Sequence, residues 1–146
     1  MWEQHRPRSG NPWQVLDVGT GTGILALAAA RLGAEVVAID LDPEAVAAAV
    51  ENVRLNNLVD RVCVEGTPLT SLRQQFGLIL ANITAPDLLQ LAESITGRLL
   101  SEGRLIISGF LIEDVPALES RYQGLGLHKT GFLTHEDWGA LIFRRL

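Results

Sequence analysis

A chain of 146 residues, 47% hydrophobic and 20% charged, is long enough to bury a sizeable core in one domain and too apolar to be disordered. A formal net charge of −5 argues against a nucleic-acid binder, which carries a basic patch or stripe. The single cysteine, Cys63, permits no internal disulfide and no cysteine metal cluster. No apolar run approaches membrane-spanning length, and the polar residues 1–14 lack the apolar core of a signal peptide, so the expectation is a cytoplasmic protein with no membrane partner. His5, His128 and His135 have no metal-ligand spacing, and no metal site is expected.

Residues 1–14, with Pro7, Ser9, Gly10, Asn11 and Pro12, read as an irregular leader before one domain spanning 15–146. The first strand ends in Asp17-Val-Gly-Thr-Gly-Thr-Gly23. Three alternating glycines then make a tight turn into an alanine-rich helix, Ile24 to Leu32, stopped by Gly33. Glycine at Gly19, Gly21 and Gly23 lets backbone approach a ligand, and the opening amides of the helix are expected to point unpaired at the same spot. A dinucleotide fingerprint has its third glycine where this chain has Ile24, which makes a nicotinamide dehydrogenase a distant reading.

Glu35 to Ile39 follows as a buried strand, with Asp40 at its carboxyl end. Asp42 caps the next helix and Pro43 opens it; the helix stops at Asn56-Asn57. Arg61 to Glu65 is a third strand and Gly66-Thr67-Pro68 a break; Phe76 to Ala81 is a fourth strand, ending at Asn82-Ile83. One helix is expected over Asp87 to Leu100, with Leu88, Leu91, Ile95 and Leu99 as its apolar stripe. A fifth strand (Arg104 to Ser108), a helix (Glu113 to Gln123) and a closing antiparallel pair (Leu127 to Leu133, Trp138 to Arg144) complete the chain. The alternation implies an α/β fold: a doubly wound, mostly parallel seven-stranded sheet with a terminal hairpin.

Such a sheet takes its ligand at the carboxyl ends of its strands. Asp40 lies nineteen positions after Gly21, the distance at which an acid accepts the hydroxyl protons of a ribose. Leu41 stands where it can cover one face of a base. Asn82 offers an acceptor oxygen and two donor hydrogens at the end of the fourth strand. Two readings of it remain: ordinary turn chemistry, or presentation of that oxygen, with the Ile83 carbonyl, to an incoming amine.

The glycine motif, Ala38-Ile-Asp-Leu-Asp-Pro43, Asn52 with Asn56-Asn57, and Leu78-Ile-Leu-Ala-Asn-Ile83 together resemble the class I S-adenosylmethionine (SAM) methyltransferases. Gly103-Arg-Leu-Ile-Ile-Ser-Gly109 and Glu136-Asp-Trp-Gly-Ala-Leu-Ile-Phe-Arg narrow the resemblance to the catalytic domain of the ribosomal large-subunit protein eleven methyltransferases. The resemblance implies SAM as cofactor and a protein substrate, a ribosomal protein, methylated on lysine or amino-terminal amines. Carried over by position, it implies cofactor contacts at Gly19, Asp40 and Asn82, with Asn82 also orienting the amine. Together with the turn and the strand ends, the candidate cofactor set is Asp17, Gly19, Thr20, Gly21, Gly23, Asp40, Leu41, Thr67 and Asn82, and the candidate catalytic pair Asn82 and Ile83. Thr67 stands where many relatives have an aspartate that meets the adenine amino group. The leader His5 to Pro12 does not match the stretch that closes over SAM in that family, so cofactor binding is expected ahead of catalysis. A methyltransferase for a small molecule or other macromolecule, and a non-catalytic SAM-binding module, stay open.

Overall fold

The computed structural model describes residues 13–146. Of the expected leader, residues 1–12 lie outside the described residues, and Gln14 already belongs to the first strand. In chain order the elements are β1 (Gln14–Val18), α1 (Ile24–Arg31), β2 (Glu35–Ile39), α2 (Pro43–Leu55), β3 (Val62–Glu65), a 3-10 turn (Leu69–Ser71), β4 (Phe76–Asn82), α3 (Ala85–Gln90), α4 (Ala92–Gly97), β5 (Leu99–Leu111), a second 3-10 turn (Ile112–Asp114), α5 (Val115–Gly124), β6 (Leu127–His135) and β7 (Trp138–Arg145). One sheet of seven strands results, in the order β3-β2-β1-β4-β5-β7-β6. The first five strands pair in parallel, and β7 runs antiparallel between β5 and β6. This is the doubly wound architecture expected from the alternation of elements.

Strand alternation sends successive side chains to opposite faces. On one face Leu16, Val18, Ile79, Leu105, Ile107, Leu141 and Phe143 pack with Leu88, Ile95, Leu118 and Tyr122 of the helices. On the other, Val15, Val36, Ala38 and Val62 meet Ala26, Ala29 and Ala30 of α1 and Val53 of α2. The alanines let α1 lie close on the sheet. In α2 the expected start holds: the Asp42 carboxylate accepts the Glu44 amide at 2.9 Å and Pro43 occupies the first turn.

The single helix expected over Asp87 to Leu100 is instead α3 and α4, broken at Leu91, and Leu99 and Leu100 belong to β5. Competing hydrogen bonds explain the early end. The Phe76 amide takes the Arg98 carbonyl at 2.8 Å, which draws the chain into the sheet. The Arg145 guanidinium takes the freed carbonyls of Thr96 and Leu99 at 3.0 and 2.6 Å. Of the expected stripe, Leu88, Ile95 and Leu99 are fully buried, whereas Leu91 is half-buried. Main pairing of β5 with β4 resumes at Arg104, opposite Leu78, after an irregular stretch.

Tyr122 joins the two helical arms on the larger core. Its ring packs on Phe143 with centroids 5.4 Å apart, and its buried hydroxyl donates to the Leu88 carbonyl at 2.7 Å. Burial pushes that phenol well above its ordinary range, so it is a neutral donor at every accessible pH. Replacing Tyr122 with Phe should cost about 1–2 kcal/mol in urea denaturation, the penalty for stranding a buried carbonyl. An unchanged midpoint would show that the bond contributes nothing.

Candidate functional site

The sheet reverses winding between β1, which has β2 on one side, and β4 on the other, and a crevice opens there at the carboxyl ends. Gly19, Gly21 and Gly23 all have positive φ (69°, 57° and 89°), a region that side-chain-bearing residues rarely enter. The turn is anchored from three sides. The amides of Gly19 and Thr20 both donate to the Ile39 carbonyl at 2.9 Å. The Gly21 amide donates to Asp40 Oδ2 at 2.9 Å, and Asn52 Nδ2 holds the Thr22 carbonyl at 2.8 Å. Asp40 Oδ1 accepts the Asp42 amide at 3.0 Å as well, so this carboxylate ties the turn to the start of α2. Each of its oxygens keeps a second acceptor direction, and Asp40 lines the adjoining cavity.

A cavity of about 500 Å³ lies over this turn, lined by Gly19, Asp40, Leu41, Thr67 and Ile83 together with Val18, Ile39, Pro68, Leu69, Thr70, Asp87, Gln90 and Leu91. Its size suits a nucleoside-sized ligand. Five of the expected site residues therefore line one cavity. Thr67 donates its hydroxyl to Glu65 Oε2 at 3.4 Å, which leaves its oxygen able to accept.

Asp17, Thr20 and Gly23 are buried behind the turn and do not line the cavity. Asp17, 1% exposed, receives the Thr20 hydroxyl at 2.7 Å and the Ala26 amide. One opening amide of α1 is thus capped from beneath by this carboxylate rather than left free for a ligand. Desolvation pushes the Asp17 pKa up to about 6, with the Thr20 and Ala26 hydrogen bonds opposing and the Asp40 charge adding to the rise.

Asn82 is exposed at the end of β4, and Ile83 follows it, its amide bonded to the Ser108 carbonyl at 3.1 Å. A Cβ on Gly19 would come within 2.5 Å of Ile83 Cγ2, so this glycine is small because Ile83 leans over it. Gly109, which closes the Gly103–Gly109 motif but carries no expected site role, also belongs to this arrangement. It has φ +90°, and a Cβ there would sit 2.6 Å from the Ile83 carbonyl oxygen and 2.7 Å from Asn82 Oδ1. Only glycine lets β5 come this close to the two groups expected to hold an amine. Pro68, Leu69, Thr70, Asp87, Gln90 and Leu91 line the cavity without having been expected at the site. They sit on a loop and a short helix whose approach to the cavity depends on the sheet order.

Two outcomes follow from these contacts. Asp17 holds its proton in the folded protein up to about pH 6 but would lose it near 3.8 when unfolded. Stability should therefore fall as pH rises from about 4 to 6, by at most about 3 kcal/mol. Asp17→Asn, which still accepts from Thr20, should flatten that slope and be the more stable protein at pH 7–8 in urea titrations. Separately, Gly109→Ala should leave the fold assembled while displacing the Asn82–Ile83 segment, visible as amide chemical-shift changes centred on residues 82 and 83. Shifts confined to β5 would contradict this.

Among the described residues no group of histidine, cysteine and acidic side chains could hold a metal, and no helix is long and apolar enough to cross a membrane. The family model described as "Ribosomal protein L11 methyltransferase (PrmA)" matches residues 3–146. The ribosomal protein L11 methyltransferases of Trichlorobacter lovleyi and Pelobacter propionicus are 42% and 45% identical to it over 134 and 132 residues. Those matches cover 91% and 90% of this chain but only 44% and 43% of the relatives, so the chain spans less than half of their length. A crystal structure of ribosomal protein L11 methylase from Lactobacillus delbrueckii subsp. bulgaricus superposes with a TM-score of 0.86 at 35% identity, over 91% of this chain and 70% of that one. With β3-β2-β1-β4-β5-β7-β6 sheet order and the glycine turn over its switch point, this chain belongs to the ribosomal protein L11 methyltransferase (PrmA) family.

Proposed function

We propose that this chain is the SAM-binding, methyl-transferring unit of an enzyme that methylates an amine of a ribosomal protein. The observation that carries the reading is Asp40, fixed at the end of β2 by the Gly21 and Asp42 amides and facing a cavity of nucleoside size. The residues present fit the cofactor. Asp40 offers acceptors for the two ribose hydroxyls, and Leu41, 72% exposed, has an open apolar face for the adenine. Gly19, with no side chain, lets Ile83 close over the glycine turn, and both line the cavity that would take the cofactor. Asp17, Thr20 and Gly23 serve by shaping the turn from behind, and Gly21 by docking it on Asp40. Among the described residues the cavity wall carries no lysine or arginine, which suits a cationic ligand.

When bound, SAM supplies an electrophilic methyl group: the amine lone pair forms the new C–N bond, the C–S bond breaks with its electrons staying on sulfur, and a proton leaves the nitrogen. The protein's part is alignment and desolvation. Asn82 Oδ1 and the Ile83 carbonyl, held together against Gly109, accept N–H bonds from the amine and turn its lone pair inward. A lysine reaches this arrangement only after its charged form has been disfavoured by desolvation. The displaced proton passes to water.

Calorimetry should show the folded chain binding SAM and S-adenosylhomocysteine, and Asp40→Ala weakening both by about 1–3 kcal/mol. Folded protein without affinity for either, or an Asp40→Ala variant with full affinity, removes the reading. In labelled-methyl transfer to ribosomal protein L11 by the full-length enzyme, Asn82→Ala should lose more turnover than SAM affinity, since alignment acts in the transition state. Equal losses would make Asn82 a cofactor contact alone.

A further inference from the structure

The two faces of the sheet are covered unequally. On the face of the larger core, residues of α3, α4 and α5 pack against strands as far out as Leu141 and Phe143 of β7. On the other face α1 and α2 cover β1, β2 and β3, and the apolar cluster there takes in no residue of β5, β7 or β6. Strand register places the side chains left over. Asn82 pairs with Ser108, Ser108 with Ala140, and Ala140 with Leu133; beyond the bulge in β5, Leu111 pairs with Trp138. Residues paired across adjacent strands share a face, and Leu141 and Phe143, at alternate positions, point the other way. The result is a shelf that begins at Asn82 and crosses β5, β7 and β6. Leu133 is 64% and Trp138 52% exposed on it, while Leu111 and Ala140 are half-buried.

We propose that this shelf docks the protein that carries the acceptor amine, holding a cationic, apolar segment next to that amine. The inference rests on the proposed function, which brings the amine to Asn82. Three strand spacings, about 14 Å, separate Asn82 from Leu133, the reach of about four extended residues. A chain that presents its amine to Asn82 and runs out across the sheet lays its next residues over Ala140, Trp138 and Leu133. The charge at the rim gives the chemistry of that segment. The hairpin turn sets Glu136 and Asp137 beside Trp138, and the Ile112 amide donates to the Asp137 carbonyl at 2.9 Å, which holds Glu113 at the same corner. All three acidic side chains are exposed, and among the described residues none has an ion-pair partner. They attract a cationic partner and repel an acidic one, and the Trp138 ring offers apolar area and a face for a lysine or arginine. A second copy of this chain, with its own net charge of −5, is the poorer match, since like charge opposes its approach.

The test reads binding of dye-labelled ribosomal protein L11 to this chain by fluorescence anisotropy, with S-adenosylhomocysteine affinity measured separately by calorimetry. The variants are Trp138→Ala, the double reversal Glu136→Lys with Asp137→Lys, and Leu32→Ser, which removes an exposed leucine beside α1, away from the shelf. Trp138→Ala and the double reversal should each weaken L11 binding by about tenfold or more. Their S-adenosylhomocysteine affinity and thermal midpoints should stay at the wild-type values, and Leu32→Ser should bind L11 as the wild type does. Raising salt from about 50 to about 300 mM should weaken the wild type and leave the double reversal nearly unaffected. Unchanged L11 binding in Trp138→Ala and in the double reversal overturns the proposal, as does a wild type with no affinity for L11. Sedimentation that finds a wild-type dimer and a Trp138→Ala monomer gives the shelf to a second copy and overturns it too. A wild type that binds L11 through Trp138 but takes no S-adenosylhomocysteine removes the proposed function and leaves the docking shelf standing.

Discussion

The Asp40 carboxylate holds two backbone segments at once: the Gly21 amide of the glycine turn and the Asp42 amide at the start of α2. Three glycines with positive φ give a turn that costs conformational entropy to order. The cross-link from β2, with the Ile39 carbonyl and Asn52, supplies that order before any ligand arrives. A binding surface made this way has little left to rearrange, so the free energy of contact is not spent on folding the loop. The same acid that would meet the ribose is thus part of the scaffold that shapes the opposite wall. In the proposed reading, binding and local architecture share one side chain.

A second constraint lies at the far side of the crevice. Asn82 and Ile83 leave β4 just where β5 crosses closest to them, and the closeness depends on a missing Cβ at Gly109. Ile83 in turn fills the space above Gly19. Three strands, β1, β4 and β5, therefore set one local geometry through two glycines and an isoleucine. Asp17 completes the arrangement from below by capping α1 through Ala26 while taking the Thr20 hydroxyl. A buried, partly neutral acid in this place trades stability near neutral pH for a defined helix start.

Local patterns made most of the fold legible. The glycine turn, Asp42-Pro43 and the 2-residue and 3.6-residue periodicities are short-range signals, and the elements they announce are present. The early start of β5 was not legible, because it follows from Phe76 and Arg145, residues distant in sequence that take the carbonyls of Arg98, Thr96 and Leu99. The same division runs through the site. Gly19, Asp40 and Leu41 announce themselves by position relative to strands. Gly109 and Asp87 matter only once β5 and α3 are set beside β4, and no spacing along the chain encodes that. Asp17 was legible as part of the motif, yet its burial behind the turn was not.

The antiparallel strand Trp138–Arg145 enters the sheet between β5 and β6, with Leu141 and Phe143 fully buried in the larger core. Its consequence is temporal. As the chain emerges from the ribosome, β1 to β5 and their helices are available long before this strand is made. Until then β5 presents an open edge and Tyr122 lacks the ring it packs against. Open edges and bare apolar faces are what aggregate. The nascent domain therefore passes through a stage at which the half that carries the glycine turn can be formed while its other half is still exposed, and a molecular chaperone would have its longest opportunity there.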